Sequence, residues 1–357
     1  MTQQGWTAFR AAEKRYKTLD YASILSSVVD TSTMATADEA VVRRLDLAHD
    51  FSDPRVFSRR RPPAYTLAGH PGLIVIPNPF TDGAQRWLAR KCLCDCACPP
   101  NRTNLDPFFD MPPESLFTLA AKPNSATSAL SRPATIGSRL QSGCIEPGVT
   151  PPKDRFYGQA ASAPDLLGRL RWCTLGWQYN WTTKMYDLGA SAFDHELDRL
   201  MRTIATAITC PAFATADNNA SVNSYDGWQF ASEAGIINFY DERYSMAGHV
   251  DKTEDSMDAP LISLSVGLAC VYLIGGPTRD TEPTPLLLRS GDVLAMCGES
   301  RLAFHGVPRV LPDTAPAYLV APEAGDQDTG AEGYPPWRHF AEYLETHRIN
   351  CNARKCS

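Results

Sequence analysis

The feature that most restricts the fold is a dense succession of short apolar runs, separated by turns, from Glu233 to the end of the chain. Runs of this length with intervening Gly, Pro and Asp predict strands, because helices need longer amphipathic stretches. The predicted strands are 234–240, 246–252, 261–267, 269–274, 285–289, 293–297, 302–306, 317–321 and 347–353. About eight such strands predict an α+β protein with a double-stranded β-helix (jelly roll) core and supporting helices.

Helices are predicted mainly in the first two thirds of the chain. Thr7–Leu19 is typical of a short basic helix, either a retained N-terminal helix, which we favour, or a weak mitochondrial presequence. Thr81 or Asp82 begins a helix that continues to about Cys92. Apolar residues at helical spacing between 191 and 208 predict a further helix with one buried face.

Composition divides the chain into two parts. Residues 52–63 are rich in Pro and Arg and predict a linker, so residues 1–65 are expected to form an N-terminal helical extension and linker. Residues 66–357 are expected to form one domain. Within it, residues 121–164 are rich in Ser, Ala, Pro and Gly and predict a long flexible insertion.

A pair of potential metal ligands lies on the second predicted strand. His249 and Asp251 are two residues apart, so their side chains point to the same face of a strand. His305, on a later strand, supplies a second imidazole. Two histidines and one carboxylate form the facial triad that binds Fe(II) and leaves coordination positions open. An isolated His-x-Asp pair is a weak signal, so the interpretation depends on its surroundings.

The surroundings include polar side chains on two other predicted strands. Asn238 and Tyr240 share one face of their strand, and Arg348, Asn350, Asn352 and Arg354 share one face of the last strand. Guanidinium groups inside a barrel need an anionic partner. A dicarboxylate would provide it, because arginine binds carboxylates through two parallel hydrogen bonds. The alternative is a solvated basic tail.

An aromatic and basic segment is the feature most typical of nucleic-acid binding. Between Leu166 and Tyr186 the chain interleaves aromatic and basic residues, namely Trp172, Trp177, Tyr179, Trp181 and Tyr186 with Arg169, Arg171 and Lys184. Aromatic rings stack on bases, and cationic side chains contact phosphates. We interpret Trp172 and Trp181 as core residues. The net charge of −6 counts against a nucleic-acid partner, although it does not exclude a local basic face.

Taken together, these motifs resemble those of the AlkB family of Fe(II)- and 2-oxoglutarate-dependent dioxygenases. The elements that carry the resemblance are Asn238-x-Tyr240, His249-x-Asp251 eleven residues downstream of Asn238, the distal His305, and Arg348-x-Asn350-x-x-x-Arg354. The chain is most similar to the AlkB homologue one subgroup, through Leu170-Arg171-Trp172, Tyr179-Asn180-Trp181 and Arg309-Val310-Leu311-Pro312. The similarity extends from about Gly69 to Arg354 and makes residues 66–357 an AlkB-like dioxygenase domain.

The resemblance implies a role for each of these side chains. His249, Asp251 and His305 would bind Fe(II) and form the catalytic centre. Arg348, Tyr240 and Asn350 would bind the distal carboxylate of 2-oxoglutarate. Asn238 and Arg354 would contact its keto-acid end, and Arg354 would also orient Asp251. Trp177, Gln178 and Tyr179 would belong to the lid over the nucleic-acid substrate, where relatives have Tyr-His-Tyr.

The activity implied is oxidative demethylation of N-methylated adenine in DNA or tRNA, with 2-oxoglutarate and dioxygen consumed and formaldehyde released. The same resemblance leaves oxidation of 5-methylcytosine in tRNA open. Three other functions stay open as alternatives: a protein hydroxylase or histone demethylase on the same barrel, a lyase acting at abasic sites through a lysine amine, and a binding module without catalysis.

Composition also bears on the compartment. The sequence contains no run of about eighteen apolar residues that would predict a membrane span and no secretory signal pattern. Its eleven cysteines, spread over the length, suit reduced thiols. We therefore expect an intracellular monomer without a membrane partner. The nucleus is the favoured location, with the mitochondrion or cytoplasm as alternatives.

Overall fold

The computed structural model describes residues 5–33, 41–106, 108–125, 161–180, 185–187, 191–208, 225–321 and 333–357. The α-helices are α1 Ala8–Thr18, α2 Tyr21–Leu25, α3 Asp82–Arg90, α4 Leu116–Ala120, α5 Ala163–Leu167, α6 His195–Ile208, α7 Ala317–Val320 and α8 Trp337–Thr346. The first strands are β1 Val42–Leu45, β2 Ala64–Leu67, β3 His70–Ile76, β4 Trp172–Gly176, β5 Gln178–Asn180, β6 Met185–Asp187 and β7 Ala234–Asp241. The remaining strands are β8 Met246–His249, β9 Leu261–Gly267, β10 Cys270–Ile274, β11 Thr284–Leu288, β12 Val293–Met296, β13 His305–Val310 and β14 His347–Arg354.

Two antiparallel sheets form the jelly roll that the sequence predicts. The larger has eight strands in the order β1-β2-β3-β12-β9-β14-β7-β4, and the smaller has four in the order β11-β10-β13-β8. Side chains from both sheets meet in one apolar cluster, to which the large sheet contributes Val75 and Leu294 and the small sheet contributes Leu286 and Val310. The sheets therefore pack face to face, as in other jelly rolls.

The outer face of the large sheet is covered by helices. Alternate residues of β14, namely Ile349, Cys351 and Ala353, join a core cluster that also contains Met201 of α6 and Phe340 of α8. Since neighbouring side chains on a strand point to opposite faces, the intervening polar residues of β14 face the space between the sheets. The helical layer thus fixes which face of β14 is available for a site.

The N-terminal segment packs against both sheets. The Thr7 side chain caps α1, and Phe9, Ala12 and Tyr16 pack with residues of the small sheet. Strands β1 and β2 extend the large sheet, so the boundary predicted at residue 65 falls inside β2. Within the predicted linker, Phe57 is buried and stacks on Phe51. The division into residues 1–65 and 66–357 stays a prediction.

Several predicted element boundaries are corrected. Residues 317–321 do not form a strand, since Ala317–Val320 form the short helix α7. Pro316 stands at its N-terminus, where a missing backbone N–H costs no hydrogen bond of the helix. The strand predicted at 302–306 begins only at His305, since residues before it form a 3-10 helix, Gly298–Leu302. The helix capped by Thr81 ends at Arg90, slightly before the predicted end at about Cys92, and continues as a π-helix, Lys91–Cys96.

Other predicted elements differ in extent or are only partly described. Strand β8 ends at His249, so Asp251 lies just beyond it. Of the predicted insertion at 121–164, residues 126–160 lie outside the described ranges, and a helix with a Ser162 capping box follows. Among the described helices, none is both long enough and apolar enough to cross a membrane.

The approach of β3 to β12 depends on Gly72. Its φ of +82° is in the left-handed region, and its carbonyl oxygen accepts a 2.9 Å hydrogen bond from the backbone N–H of Cys297. A Cβ at this position would lie 2.1 Å from the Cys297 carbonyl oxygen. Only glycine meets both requirements without displacing one of the two strands.

We therefore expect Gly72→Ala to lower the free energy of unfolding by about 2–4 kcal/mol, through a strained φ and backbone overlap. Gly83→Ala is the matched control, because Gly83 lies in the first turn of α3 and a Cβ added there would meet nothing within 4 Å. It should change stability by less than about 1 kcal/mol. Urea unfolding followed by tryptophan fluorescence measures both, and equal midpoints would contradict the role given to Gly72.

The turn between β11 and β12 depends on a buried carboxyl group. Asp292 is 1% exposed, and its two oxygens accept the backbone N–H groups of Asn78 at 3.0 Å and Arg289 at 2.7 Å. Burial raises the pKa of Asp292 to about 6 despite these hydrogen bonds. Because the folded-state pKa exceeds the ordinary value, the stability contributed by this group is present at low pH and lost as the pH rises through about 6.

The substitution Asp292→Asn removes this titration. From pH 4 to pH 7 the parent should lose about 2 kcal/mol of stability relative to the variant, in addition to a pH-independent cost of the altered hydrogen bonds. Urea unfolding of both proteins at several pH values measures the difference. Asp313→Asn, which alters an exposed side chain, is the control. A constant difference between parent and Asp292→Asn would show that the buried carboxyl group does not titrate in this range.

Candidate metal and cosubstrate site

A cavity of about 440 Å³ opens between the two sheets. Eight side chains predicted from the sequence to form the metal and cosubstrate sites all line it. They are Asn238, Tyr240, His249, Asp251, His305, Arg348, Asn350 and Arg354. They come from β7, β8, β13 and β14 and from the segment after β8, so both sheets contribute to one site.

The three potential metal ligands converge on one point. A nitrogen of His249, a nitrogen of His305 and a carboxylate oxygen of Asp251 all lie within 4.8 Å of one another. The Nε2 atoms of His249 and His305 are 3.9 Å and 3.7 Å from different oxygens of Asp251. The two imidazole rings are 4.4 Å apart, because His249 and His305 pair directly across β8 and β13. This separation leaves room for a cation between the three donors.

Hydrogen bonds to the backbone orient both imidazole rings. Nδ1 of His249 is 2.9 Å from the Ala247 carbonyl oxygen, and Nδ1 of His305 is 3.1 Å from the Ala303 carbonyl oxygen. With Nδ1–H donating to a carbonyl group, Nε2 carries the lone pair and can bind a metal. Burial, followed by the effect of His249, lowers the pKa of His305 to about 4, so this ring is neutral at physiological pH.

The carboxylate of Asp251 is held in its charged form. Burial alone would raise its pKa, but Arg354 and then His305, His249 and Arg301 lower it well below its ordinary value. The Nη2 atom of Arg354 is 3.5 Å from an Asp251 oxygen. Two imidazoles and a charged carboxylate are the donor set that suits Fe(II) with open coordination positions.

Arg348 forms the second half of the site. It is 1% exposed, and its Nη atoms donate to neutral acceptors, the Leu268 carbonyl oxygen at 3.1 Å and Ser265 Oγ at 2.6 Å. Its Nε has no hydrogen-bond partner, and within the described ranges Arg348 forms no ion pair. A buried guanidinium without a carboxylate is costly. The observation fits the expectation that an anionic ligand completes this part of the cavity.

Polar neighbours extend the anion site toward the triad. Asn350 Nδ2 donates to Ser263 Oγ at 2.6 Å, and Ser263 also lines the cavity. The Tyr240 hydroxyl meets only the sulfur of Met246, at 3.7 Å, which is a weak acceptor. Burial raises the pKa of Tyr240, so the hydroxyl stays protonated and able to donate. These donors suit the two ends of a keto dicarboxylate.

The aromatic segment is placed differently from the prediction. Trp172, interpreted as a core residue from the sequence, lines the cavity together with Tyr186. Trp172 pairs with Asn238 across β4 and β7, and directly paired residues face the same side of a sheet. Position 181 lies outside the described residues. Sequence periodicity could not identify Trp172, because its partner Asn238 lies 238 − 172 = 66 residues away along the chain.

The predicted lid residues do not reach the cavity where their side chains are described. Gln178 is buried: its Oε1 accepts a hydrogen bond from Thr174 Oγ1, and its Nε2 donates to the Gly176 carbonyl oxygen at 3.0 Å and Ser191 Oγ at 3.2 Å. Gln178 therefore secures the β4–β5 turn, and its assignment to the substrate lid stays a prediction. Trp177 is half-buried outside the cavity wall, and the Tyr179 side chain lies outside the described part.

The wall also contains aromatic and sulfur-containing side chains that the motifs did not reveal. They are Tyr244, Met246, Tyr272 and Met296. The Tyr272 ring stacks near His305, with ring centres 5.9 Å apart, and its hydroxyl donates to the Met296 sulfur at 3.4 Å. None of the four belongs to the motifs that indicated the site, so only the tertiary structure shows that they reach it.

Comparison with known proteins agrees with this geometry. Residues 127–354 match the family model described as the 2OG-Fe(II) oxygenase superfamily, so the chain belongs to that superfamily. Within it, the chain is similar to proteins of the AlkB homologue one type, as the motifs indicated.

Three relatives illustrate the similarity. The "Nucleic acid dioxygenase ALKBH1" of Mus musculus is 33% identical over 82% of this chain and 66% of its own length. The "tRNA demethylase abh1" of Schizosaccharomyces pombe is 30% identical over 97% of this chain and 95% of its own. The "DNA N(6)-methyladenine demethylase ALKBH1A" of Arabidopsis thaliana is 29% identical over 98% of this chain and 96% of its own length. A solved structure, that of OsALKBH1, aligns with a TM-score of 0.46 and 18% identity, covering 80% of this chain and 97% of that chain.

Membership of this superfamily implies Fe(II) and 2-oxoglutarate as cofactor and cosubstrate. The residues present fit both, since three convergent donors share the cavity with the buried guanidinium of Arg348, which forms no ion pair within the described ranges. His249, Asp251 and His305 would hold Fe(II), which together with 2-oxoglutarate supplies the oxidising chemistry when bound. Arg348, Tyr240 and Asn350 would bind and orient the distal carboxylate.

We expect Arg348→Lys to weaken 2-oxoglutarate binding by about tenfold to a hundredfold, because an ammonium keeps the charge but loses the paired geometry of the guanidinium. Isothermal titration with 2-oxoglutarate in the presence of Mn(II) and without oxygen measures the dissociation constant. Arg243→Lys, at a side chain that is 82% exposed, should leave it unchanged. Equal constants in both variants would place the distal carboxylate elsewhere.

Proposed function

We propose that this protein is an Fe(II)/2-oxoglutarate-dependent nucleic-acid demethylase that oxidises N-methyl groups of adenine in DNA or tRNA and releases formaldehyde. The observation that carries the proposal is one cavity in which the His249, Asp251 and His305 donors and the buried guanidinium of Arg348 face each other. A metal-binding triad next to a site for a small dicarboxylate is the arrangement that this chemistry requires.

The substrate class is supported by the relatives and by the shape of the cavity. Relatives that match nearly the whole chain carry the names tRNA demethylase and DNA N(6)-methyladenine demethylase, and another, from Pyricularia oryzae, is named an N6-methyladenosine RNA demethylase. Trp172, Tyr186 and Tyr244 give the wall flat aromatic faces, on which a base can stack. Both DNA and tRNA therefore remain within the proposal.

The position of the triad favours an unpaired base. Asp251 and His305 line the cavity inside the jelly roll, and a base within a duplex must leave its stack to reach them. An unpaired or looped base costs less to extrude. We also propose a role in DNA repair or tRNA modification. We propose further that the protein is an intracellular monomer without a membrane partner, located in the nucleus.

The rival functions find less support at the cavity. A lyase acting through a lysine amine would need a lysine there, and the described residues that line the cavity include none. A protein hydroxylase would use the same triad, but the aromatic wall is better suited to a planar base than to an extended peptide. Oxidation of 5-methylcytosine in tRNA uses the same parts, and substrate tests must separate it.

The test is mass spectrometry of DNA and tRNA oligonucleotides that carry single methylated bases, after incubation with Fe(II) and with or without 2-oxoglutarate. We expect loss of one methyl group from adenine substrates, with formaldehyde, only when 2-oxoglutarate is present. Unpaired substrates should react faster than duplexes. His249→Ala should abolish the reaction, since one of three metal donors is lost.

The matched control is His195→Ala, which removes an exposed imidazole at the start of α6. It should retain the parent rate. Full turnover by His249→Ala would disprove the metal assignment. Strand cleavage that persists in the presence of a chelator would instead support the lyase, and conversion of 5-methylcytosine without loss of adenine methyl groups would replace the proposed substrate.

A further inference from the structure

A cluster of buried charges lies behind Asp251, away from the position of the metal. Its members are Glu254, Arg301 and Arg354, whose side chains are 0%, 1% and 3% exposed. Charged groups this deeply buried are rare unless they are paired. Arg354 was expected from the sequence to orient Asp251, but neither Glu254 nor Arg301 belongs to the motifs that indicated the site.

Glu254 is the centre of the cluster. Its Oε1 atom forms an ion pair with Arg301 Nη2 at 2.9 Å and accepts a hydrogen bond from Arg354 Nη1, also at 2.9 Å. Its Oε2 atom accepts the backbone N–H of Thr253, also at 2.9 Å. A single carboxylate therefore fixes two guanidinium groups that come from distant parts of the chain.

Each arginine in turn contacts Asp251. Arg301 Nη1 donates to the backbone carbonyl oxygen of Asp251 at 2.7 Å. Arg354 Nη2 lies 3.5 Å from the Asp251 carboxylate and donates to Asn352 Oδ1 at 2.9 Å. Arg301 thus holds the backbone of Asp251, and the guanidinium of Arg354 lies next to the Asp251 carboxylate.

The cluster also connects the segments that carry the metal ligands. Arg301 belongs to the 3-10 helix Gly298–Leu302, which leads directly to Ala303 and His305. Ala303 supplies the carbonyl oxygen that orients the His305 ring. Because Arg301 contacts both Glu254 and Asp251, it joins the end of β8 to the start of β13.

Charge balance shows why a carboxylate is needed at this position. Burial would raise the pKa of Glu254, but Arg354 and Arg301 lower it, so the group is ionised. Two carboxylates and two guanidiniums then form a neutral group. Without the Glu254 charge, both arginines would be left with Asp251 as their nearest anion, and an arriving cation would meet a net positive charge.

From this geometry we propose that Glu254 is a positioning residue of the metal site. It holds Arg301 and Arg354 in place, so that the Asp251 carboxylate keeps its orientation, and it balances their charge, so that a divalent cation does not meet a net positive group. The inference rests on the metal site that the proposed function assigns to His249, Asp251 and His305. It concerns how Asp251 is kept available and not which substrate is oxidised.

The experiment is a titration of the full-length, metal-free protein with Co(II), followed by the visible d–d absorption of the bound ion. Glu254→Gln keeps the size and one acceptor oxygen but removes the charge. We expect it to weaken Co(II) binding by about tenfold or more, the effect typical of residues that orient metal ligands, and to change the d–d spectrum. Asp255→Asn is the matched control, since it removes one charge from an exposed neighbour, and it should match the parent.

A second variant separates positioning from stability. Arg301→Lys keeps a positive charge, but one ammonium lacks the forked geometry with which Arg301 contacts Glu254 and Asp251 together, so it should also weaken Co(II) binding. Far-UV circular dichroism and urea unfolding show whether each variant is folded under the titration conditions. If Glu254→Gln does not fold, Co(II) binding by the folded Arg301→Lys variant tests the positioning role instead.

The outcomes distinguish this inference from the proposed function. Equal Co(II) affinities and spectra for the parent and a folded Glu254→Gln or Arg301→Lys variant would overturn the positioning role, even if the variant were less stable. Co(II) binding by His249→Ala as tight as by the parent would instead disprove the metal site itself. Weakened binding in His249→Ala and in Glu254→Gln, with Asp255→Asn unchanged, supports both.

Discussion

The pairing of β8 with β13 is the interaction on which the site depends. His249 and His305 are direct partners across these strands, so the register of this one pair sets the distance between the two imidazole rings. A shift by one residue would turn one of the rings to the other face of the sheet. Asp251 can complete the triad only because it follows β8 immediately and bends back toward both rings.

Buried arginines divide the cavity into two electrostatic regions. Arg354 and Arg301 share the carboxylate of Glu254, so their charge is compensated within the protein. Among the described residues, Arg348 has only neutral partners and is left as the charge that an anionic ligand would balance. The anion site and the cation site are therefore distinct although they share one cavity. This separation allows a chelating dicarboxylate to bridge them.

Much of the fold could be predicted because its causes are local. Alternation along β14 placed Arg348, Asn350, Asn352 and Arg354 on one face, and all four line the cavity. The helices predicted to start at Thr7 and at Thr81 or Asp82 do begin there, with Thr7 and Thr81 as their caps, since capping depends on a few neighbouring residues. The predicted elements that are wrong lie where the surrounding structure outweighs local preference. Residues 317–321 have the composition of a strand but form a helix after Pro316.

The metal and cosubstrate residues of the site could be predicted from the sequence, but other parts of it could not. Those parts depend on contacts between residues that are distant in the sequence. Gln178 and Trp172 belong to one aromatic segment, and the sequence offers no signal to tell which faces the cavity. The structure decides through the pairing of Trp172 with Asn238 and through the hydrogen bonds that bury Gln178 beside Thr174. Glu254 and Arg301 were not predicted, because their role depends on the ion pair between them, and the two residues are far apart in the sequence.

The sequence by itself determined the types of donor in this protein and their order along the chain. Spacing within a strand also determined which of them share a face, because the backbone alternates with a period of two. Tertiary structure alone decided which faces meet, which charges neutralise one another and which aromatic rings enclose the cavity. Those outcomes depend on strand register and burial between distant segments, where packing and desolvation, rather than local preference, select the arrangement.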